Sequence, residues 1–170
     1  MLNSSGDPHR ARPEFDAAVE AAIGNGFDQL AIDALHMLAI VAPASGQDEL
    51  NRRALDIAQS SEDPRARQWR ASLLNNMGWT AFDRGDFTAA LALFEEALGE
   101  WQKQGNAAAI VIARWSVART LRELGRAADA LAIQLRLADE LGAAGKNDPD
   151  VDEEIAACRA ALAEQAPPAS

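Results

Sequence analysis

Apolar positions recur at three- and four-residue steps along most of the chain, and no run alternates with period two. In the stretch RGDFTAALALFEEAL (84–98), Phe87, Ala90, Phe94 and Ala97 fall on one helical face. Punctuation divides this pattern into elements. Asp63-Pro64 and Asp148-Pro149 each place a capping aspartate before a proline suited to the first helical position. Gly85, Gly105 and Gly125 close helices, while Asp86 and Asn106 cap the ones that follow. Gly24-Asn25-Gly26 and Pro43-Ala44-Ser45-Gly46 separate the upstream segments. The expected helices span 13–23, 28–42, 47–60, 64–84, 86–104, 107–124, 126–143 and 149–164.

Composition agrees with an all-α chain. Of 170 residues, 48% are hydrophobic but only 5% aromatic, and alanine carries much of the apolar content. The length suffices for one domain with a real core. The net charge is −10 and the sequence pI about 4.6, which argues against nucleic acid as a partner. The charge is uneven: −5 over 1–68, zero over 69–125 and −5 over 126–170. A single cysteine, Cys158, allows no intrachain disulfide. No signal-like N-terminus and no membrane-length apolar run is seen, so the expectation is a soluble, cytoplasmic protein without membrane contact. Residues 1–12 and 165–170 read as disordered tails flanking a helical domain at 13–164.

The chain also repeats itself. Gly85 matches Gly125, Ala90 matches Ala130, Leu91 matches Leu131 and Leu93 matches Ile133, all at an offset of 40. Met77-Gly78 matches Val117-Ala118 at the same offset. A fainter copy lies 39 residues upstream: Leu35, Leu38 and Ala39 correspond to Leu74, Met77 and Gly78. In it Gly46 corresponds to Gly85, Leu55 to Phe94 and Ala58 to Ala97.

Leu74-x2-Met77-Gly78, the Gly85-Asp86-Phe87 turn and Ala90-x3-Phe94-x2-Ala97 resemble the tetratricopeptide repeat. Small residues let two helices approach, large ones fill the space beside them, and successive hairpins stack to bury what one hairpin leaves open. The resemblance implies a right-handed α-α superhelix: a short solenoid of about three hairpins between terminal capping helices. The sequence departs from the pattern at Ala81, where tyrosine is usual, and at Gln102, where proline is usual. Its period is longer than the usual one, and Arg114 and Gln134 occupy normally apolar positions. In the final helix, Ile155, Ala156, Cys158 and Leu162 are expected to face inward, with the acids Asp150, Asp152, Glu153 and Glu154 favouring its N-terminal end.

Proteins of this kind usually bind peptides or other proteins along a concave surface lined by the first helix of each hairpin. The corresponding positions include His36 in the weak repeat, Asn75, Asn76 and Trp79 in the clearest one, and Trp115, Arg119 and Arg122 in the next. Ile112 and Ser116 fall on the same surface. The tryptophans offer large contact areas. Arg119 and Arg122, three apart on a helix, suit a carboxylate or acidic peptide. The alternative for each tryptophan is packing between helices, and for the arginines pairing with Asp83 or Glu123. Arg114, on an apolar stripe, is expected to snorkel or to pair with an acid.

Nothing in the sequence looks catalytic, and no cofactor or metal site is expected. His36 has Asp33 one turn away but no nucleophile in any recognisable motif. Cys158 reads as a buried small hydrophobe, and the alternating acids around Asp148 read as helix capping rather than a calcium loop. The leading expectation is therefore a non-enzymatic scaffold that binds a protein or peptide. A regulatory module sensing a small ligand or signalling peptide, and a self-associating homodimer, are the other readings.

Overall fold

The computed structural model describes residues 8–165, with side chains from residue 13 onward except at 44 and 45. Among these residues the chain forms eight α-helices and no strand. They are α1 (Pro8–Gly24), α2 (Asp28–Val41), α3 (Ala44–Ser60), α4 (Pro64–Asp83), α5 (Phe87–Gln104), α6 (Ala107–Glu123), α7 (Ala127–Ala143) and α8 (Pro149–Gln165).

The expected caps form. The Asp63 carboxylate accepts from the Arg65 amide at 2.9 Å, and that of Asp148 from the Asp150 amide at 3.1 Å. Asp86 and Asn106 accept from Ala89 and Ala109 at 3.1 and 3.2 Å. At the end of α4 the Gly85 amide donates to the Phe82 carbonyl and the Asp86 amide to the Ala81 carbonyl. This pairing needs a left-handed residue, and Gly85 supplies it with φ +79°. The same paired bonds close α5, α6 and α7. The glycines concerned, Gly85, Gly105, Gly125 and Gly145, are spaced by 20 residues. Each 40-residue repeat is thus two helix-plus-turn steps of equal length.

Two boundaries differ from the sequence reading. The first helix begins at Pro8 rather than Pro13, so residues 8–12 are helical instead of tail. Pro8 also suits a first helical position, and Pro13 removes one interior amide donor from α1 without ending it. The remaining tail residues, 1–7 and 166–170, lie outside the described part. The third helix begins at Ala44, so Gly46 lies in its first turn and is no counterpart of Gly85. The link before it is made by Ala42 and Pro43 in extended conformation, which requires no left-handed residue.

Contacts divide the chain into two compact units, one up to Thr80 and one from Ala81, with α4 contributing to both. In the first, α1 packs on α2 and α2 on α3. Val19, Ile32, Leu35, Leu38, Leu73 and Leu74 fill its core, and the fully enclosed alanines Ala31, Ala54, Ala58 and Ala71 allow close helix approach. The Ser61 hydroxyl donates to the Asp28 carboxylate at 2.6 Å and ties the α3–α4 link to the start of α2.

In the second unit each helix from α5 to α8 packs on the next, and α6 also reaches α8. Phe94 is fully buried, with Ala90 and Ala97 on the same face of α5. The counterparts on α7 are Ala130, Gln134 and Leu137, all fully buried. Leu137, Val151 and Ile155 form a cluster sealed by Val111, Trp115, Leu131 and Leu141. The inward stripe of α8 is Val151, Glu154, Ile155 and Cys158, whereas Ala156, expected inside, is exposed. A helical face repeats at three and four residues, so a stripe through Val151 and Cys158 excludes position 156 and draws in Glu154.

Candidate functional site

The α6 surface carries the most side-chain chemistry. Ile112, Trp115, Arg119 and Arg122 stand at three- and four-residue steps on it. Ser116, expected among them, is fully buried, and its hydroxyl donates to the Ile112 carbonyl at 3.0 Å. Thr120 is likewise buried and donates to the Ser116 carbonyl at 2.8 Å. Both hydroxyls are satisfied within the helix, so they can face the core.

Neither Asp83 nor Glu123 is the main partner of the arginines. Glu154 of α8, only 3% exposed, reaches Arg122 Nε at 2.5 Å and Arg119 Nη1 at 3.7 Å. Glu123 adds a contact to Arg122 Nη1 at 3.0 Å. Two guanidiniums thus face two carboxylates. The hydrogen bond to Glu154 is the chief reason the Arg122 guanidinium holds its proton above its ordinary range. The Arg119 guanidinium carbon also sits 5.3 Å from the Trp115 ring centroid and 5.6 Å from that of Phe82. The Trp115 indole N–H donates to the Asp150 carbonyl at 3.0 Å, which fixes the ring against α8.

Between α6 and α8 these groups enclose a cleft of about 310 Å³, lined by Trp115, Arg119, Arg122, Asp150, Glu153, Glu154 and Ala157. Cys158 lies fully buried behind it, its sulfur 3.9 Å from Glu154. Burial first, and then the Glu154 charge, push its thiol pKa upward. Arg114, on the opposite side of the stripe, pairs with Glu140 of α7 at 2.6 Å, as its position among apolar residues led us to expect.

The other sequence candidates lie in the first unit. His36 of α2 is half-buried, tilted against Trp69 of α4 with ring centroids 5.4 Å apart, and its Nδ1 is enclosed without a hydrogen bond. Asp33 does not orient it; that residue lines a cavity between α1 and α2. Asn75 and Asn76 of α4 are half-buried, the first with an enclosed Oδ1 that makes no hydrogen bond. Trp79 is half-buried on the same helix.

Sequence reasoning missed Glu154 as the hub of the arginine pair, assigning it instead to the helix N-terminus. One signal was available: Glu154 shares the three-to-four spacing of Val151, Ile155 and Cys158, which put it on the buried stripe. It also missed Trp69 and Phe82 as ring partners, for which the repeat pattern held no cue.

A model of the tetratricopeptide repeat family matches residues 69–139. No curated protein matches the chain in sequence. Among solved structures, the nearly identical TPR-like repeats of a Podosopora anserina kinesin light chain superpose with a TM-score of 0.72 at 16% identity, covering 96% of this chain and 82% of that one. A singly substituted form of the same repeats superposes with a TM-score of 0.73 at the same identity and coverage. At that identity the likeness concerns the fold. None of the helices described is long and apolar enough to cross a membrane. Residues 69–139 thus match the tetratricopeptide repeat in sequence, and the described helices share the fold of TPR-like repeats.

Proposed function

We propose that this chain is a non-enzymatic, cytoplasmic scaffold that binds a protein or peptide on the surface of its first-in-hairpin helices. The observation that carries this is on α6. Ile112, 55% exposed, stands one turn from Trp115, and Trp115 stands one turn from Arg119 and opens on the cleft toward α8. A large apolar side chain left open beside a tryptophan and a charged rim is the make-up of a contact surface. By repeat position, Asn75, Asn76 and Trp79 of α4 and His36 of α2 are the corresponding candidates in the first unit. Arg122 supports the surface by holding α8 through Glu154 instead of meeting the partner.

The test is affinity capture from a cell lysate with the wild type and an Ile112→Asp bait of equal helicity and melting temperature. Proteins held by the wild type and lost from the variant support the reading. Identical lists from the two baits remove α6 from it.

A second reading, a regulatory module for a small ligand, draws on the cavity of about 430 Å³ between α1 and α2. Its walls are mainly apolar, from Phe15, Phe27, Leu30 and Met37, with Asn25 and Asp33 as polar groups. Under this reading an apolar small molecule raises the melting temperature of the wild type and not of an Ala34→Trp variant that fills the cavity.

A further inference from the structure

From the α6–α8 cleft we infer that the segment bound there is basic, reversing the acidic partner that the two arginines suggest in sequence. The inference rests on the proposed scaffold role and specifies its partner. Both guanidiniums are already matched in charge, Arg122 by Glu154 and Glu123 and Arg119 by Glu154. An incoming carboxylate would meet Glu154, 3% exposed and already set against both guanidiniums, as well as the acids that line the same cleft.

The charge left over is negative. Asp150 and Glu153 line the same cleft, both are exposed, and neither has an ion-pair partner among the described residues. They are spaced with Ala157 along one face of α8, opposite the α6 stripe of Trp115, Arg119 and Arg122. The cleft therefore has an uncompensated pair of carboxylates on one wall and an indole on the other. A lysine or arginine fits: its stem lies along Trp115 and Ala157 while its cation meets Asp150 and Glu153. The net charge of −10 steers a basic segment toward the chain from a distance and repels an acidic one.

The experiment is panning of a random short-peptide display library on the full chain. The probe set comprises the wild type, an Asp150→Asn/Glu153→Gln variant, and a Glu95→Gln/Asp139→Asn variant that loses the same charge on α5 and α7. The expected result is enrichment of lysine- and arginine-bearing peptides. Their affinity falls about five- to tenfold in the α8 variant, the loss of two exposed charge contacts, and holds in the α5–α7 variant. Equal losses in both variants mean general attraction to an acidic protein and overturn the proposal. Enrichment of acidic peptides that depend on Trp115 overturns the basic assignment while the scaffold role stands. No enrichment at all also overturns it, and the scaffold role is then judged by lysate capture alone.

Discussion

Arg122 and Glu154, 32 residues apart in sequence, meet at 2.5 Å across α6 and α8. Glu154 is 3% exposed and Arg122 19%, so most of this ion pair is removed from water. A charge so placed is costly to hold and costlier to leave alone. The pair thus acts as a latch between α8 and the rest of its unit.

Removing one side of the latch destabilises the fold. Glu154→Ala leaves Arg122 and Arg119 without their shared carboxylate. The expected loss is about 2 kcal/mol, below the range for wholly enclosed pairs because both guanidiniums reach water. Glu154→Met combined with Arg122→Met recovers part of it, since only Arg119, 37% exposed, is then left without its carboxylate. Urea unfolding of the three proteins measures both effects. An unchanged midpoint in Glu154→Ala would show that the latch contributes nothing.

Gln134 occupies on α7 the place that Phe94 holds on α5. It is fully buried, and neither its amide nitrogen nor its carbonyl oxygen makes a hydrogen bond. Gln134→Met keeps the volume and removes the unmet polar atoms, for a gain of about 1–2 kcal/mol. A rise in thermal midpoint is expected, and a fall would point to a partner for the amide. Phe94→Ala, which opens a cavity at the equivalent site, costs about 3–5 kcal/mol.

Glycines in this chain divide into two kinds with opposite responses to alanine. An added Cβ at Gly99 of α5 or Gly142 of α7 meets no atom within 4 Å, so each substitution gains helix propensity, about 1 kcal/mol. Gly85 also has open space, but its φ is +79°, and alanine there costs about 1–2 kcal/mol. Differential scanning calorimetry on the three single variants gives the signs directly.

Acid weakens the Arg114–Glu140 pair in a defined window. The hydrogen bond from Arg114 is the main reason the Glu140 carboxyl lies below its ordinary value of 4.5. The unfolded chain therefore takes up that proton first as pH falls. The stabilisation is complete above the ordinary value and is lost as pH drops through the lower folded value. In a series of melting temperatures against pH, Arg114→Gln should flatten part of the decline below about pH 4.5.

Cys158 responds at the other end of the scale. Its folded thiol ionises above the ordinary 9.0, chiefly because burial disfavours the thiolate. The unfolded chain loses its proton first, so stability falls as pH rises from that ordinary value through the higher folded one. At neutral pH a thiol reagent should modify Cys158 only as fast as α8 opens. The Glu154→Ala variant should react faster, and an equal rate would separate thiol access from the latch.

The sequence by itself determined the helices from α4 onward, the turns between them and the repeat they carry. Those features depend on local chemistry: aspartates and asparagines that cap amides, glycines that accept a left-handed backbone, and apolar residues spaced by one helical turn. It also placed Trp115, Arg119 and Arg122 on one face of α6, because that needs only the helical period. The period does not say which helix arrives opposite that face. Only the tertiary structure set Glu154 against the two arginines, buried Ser116 beside them, left Gln134 unmet in a phenylalanine site and exposed Asp150 and Glu153 at the cleft. Each depends on how successive helices pack against one another, which no local pattern encodes, and the contact of α8 with α6 reverses the charge the surface offers to a partner.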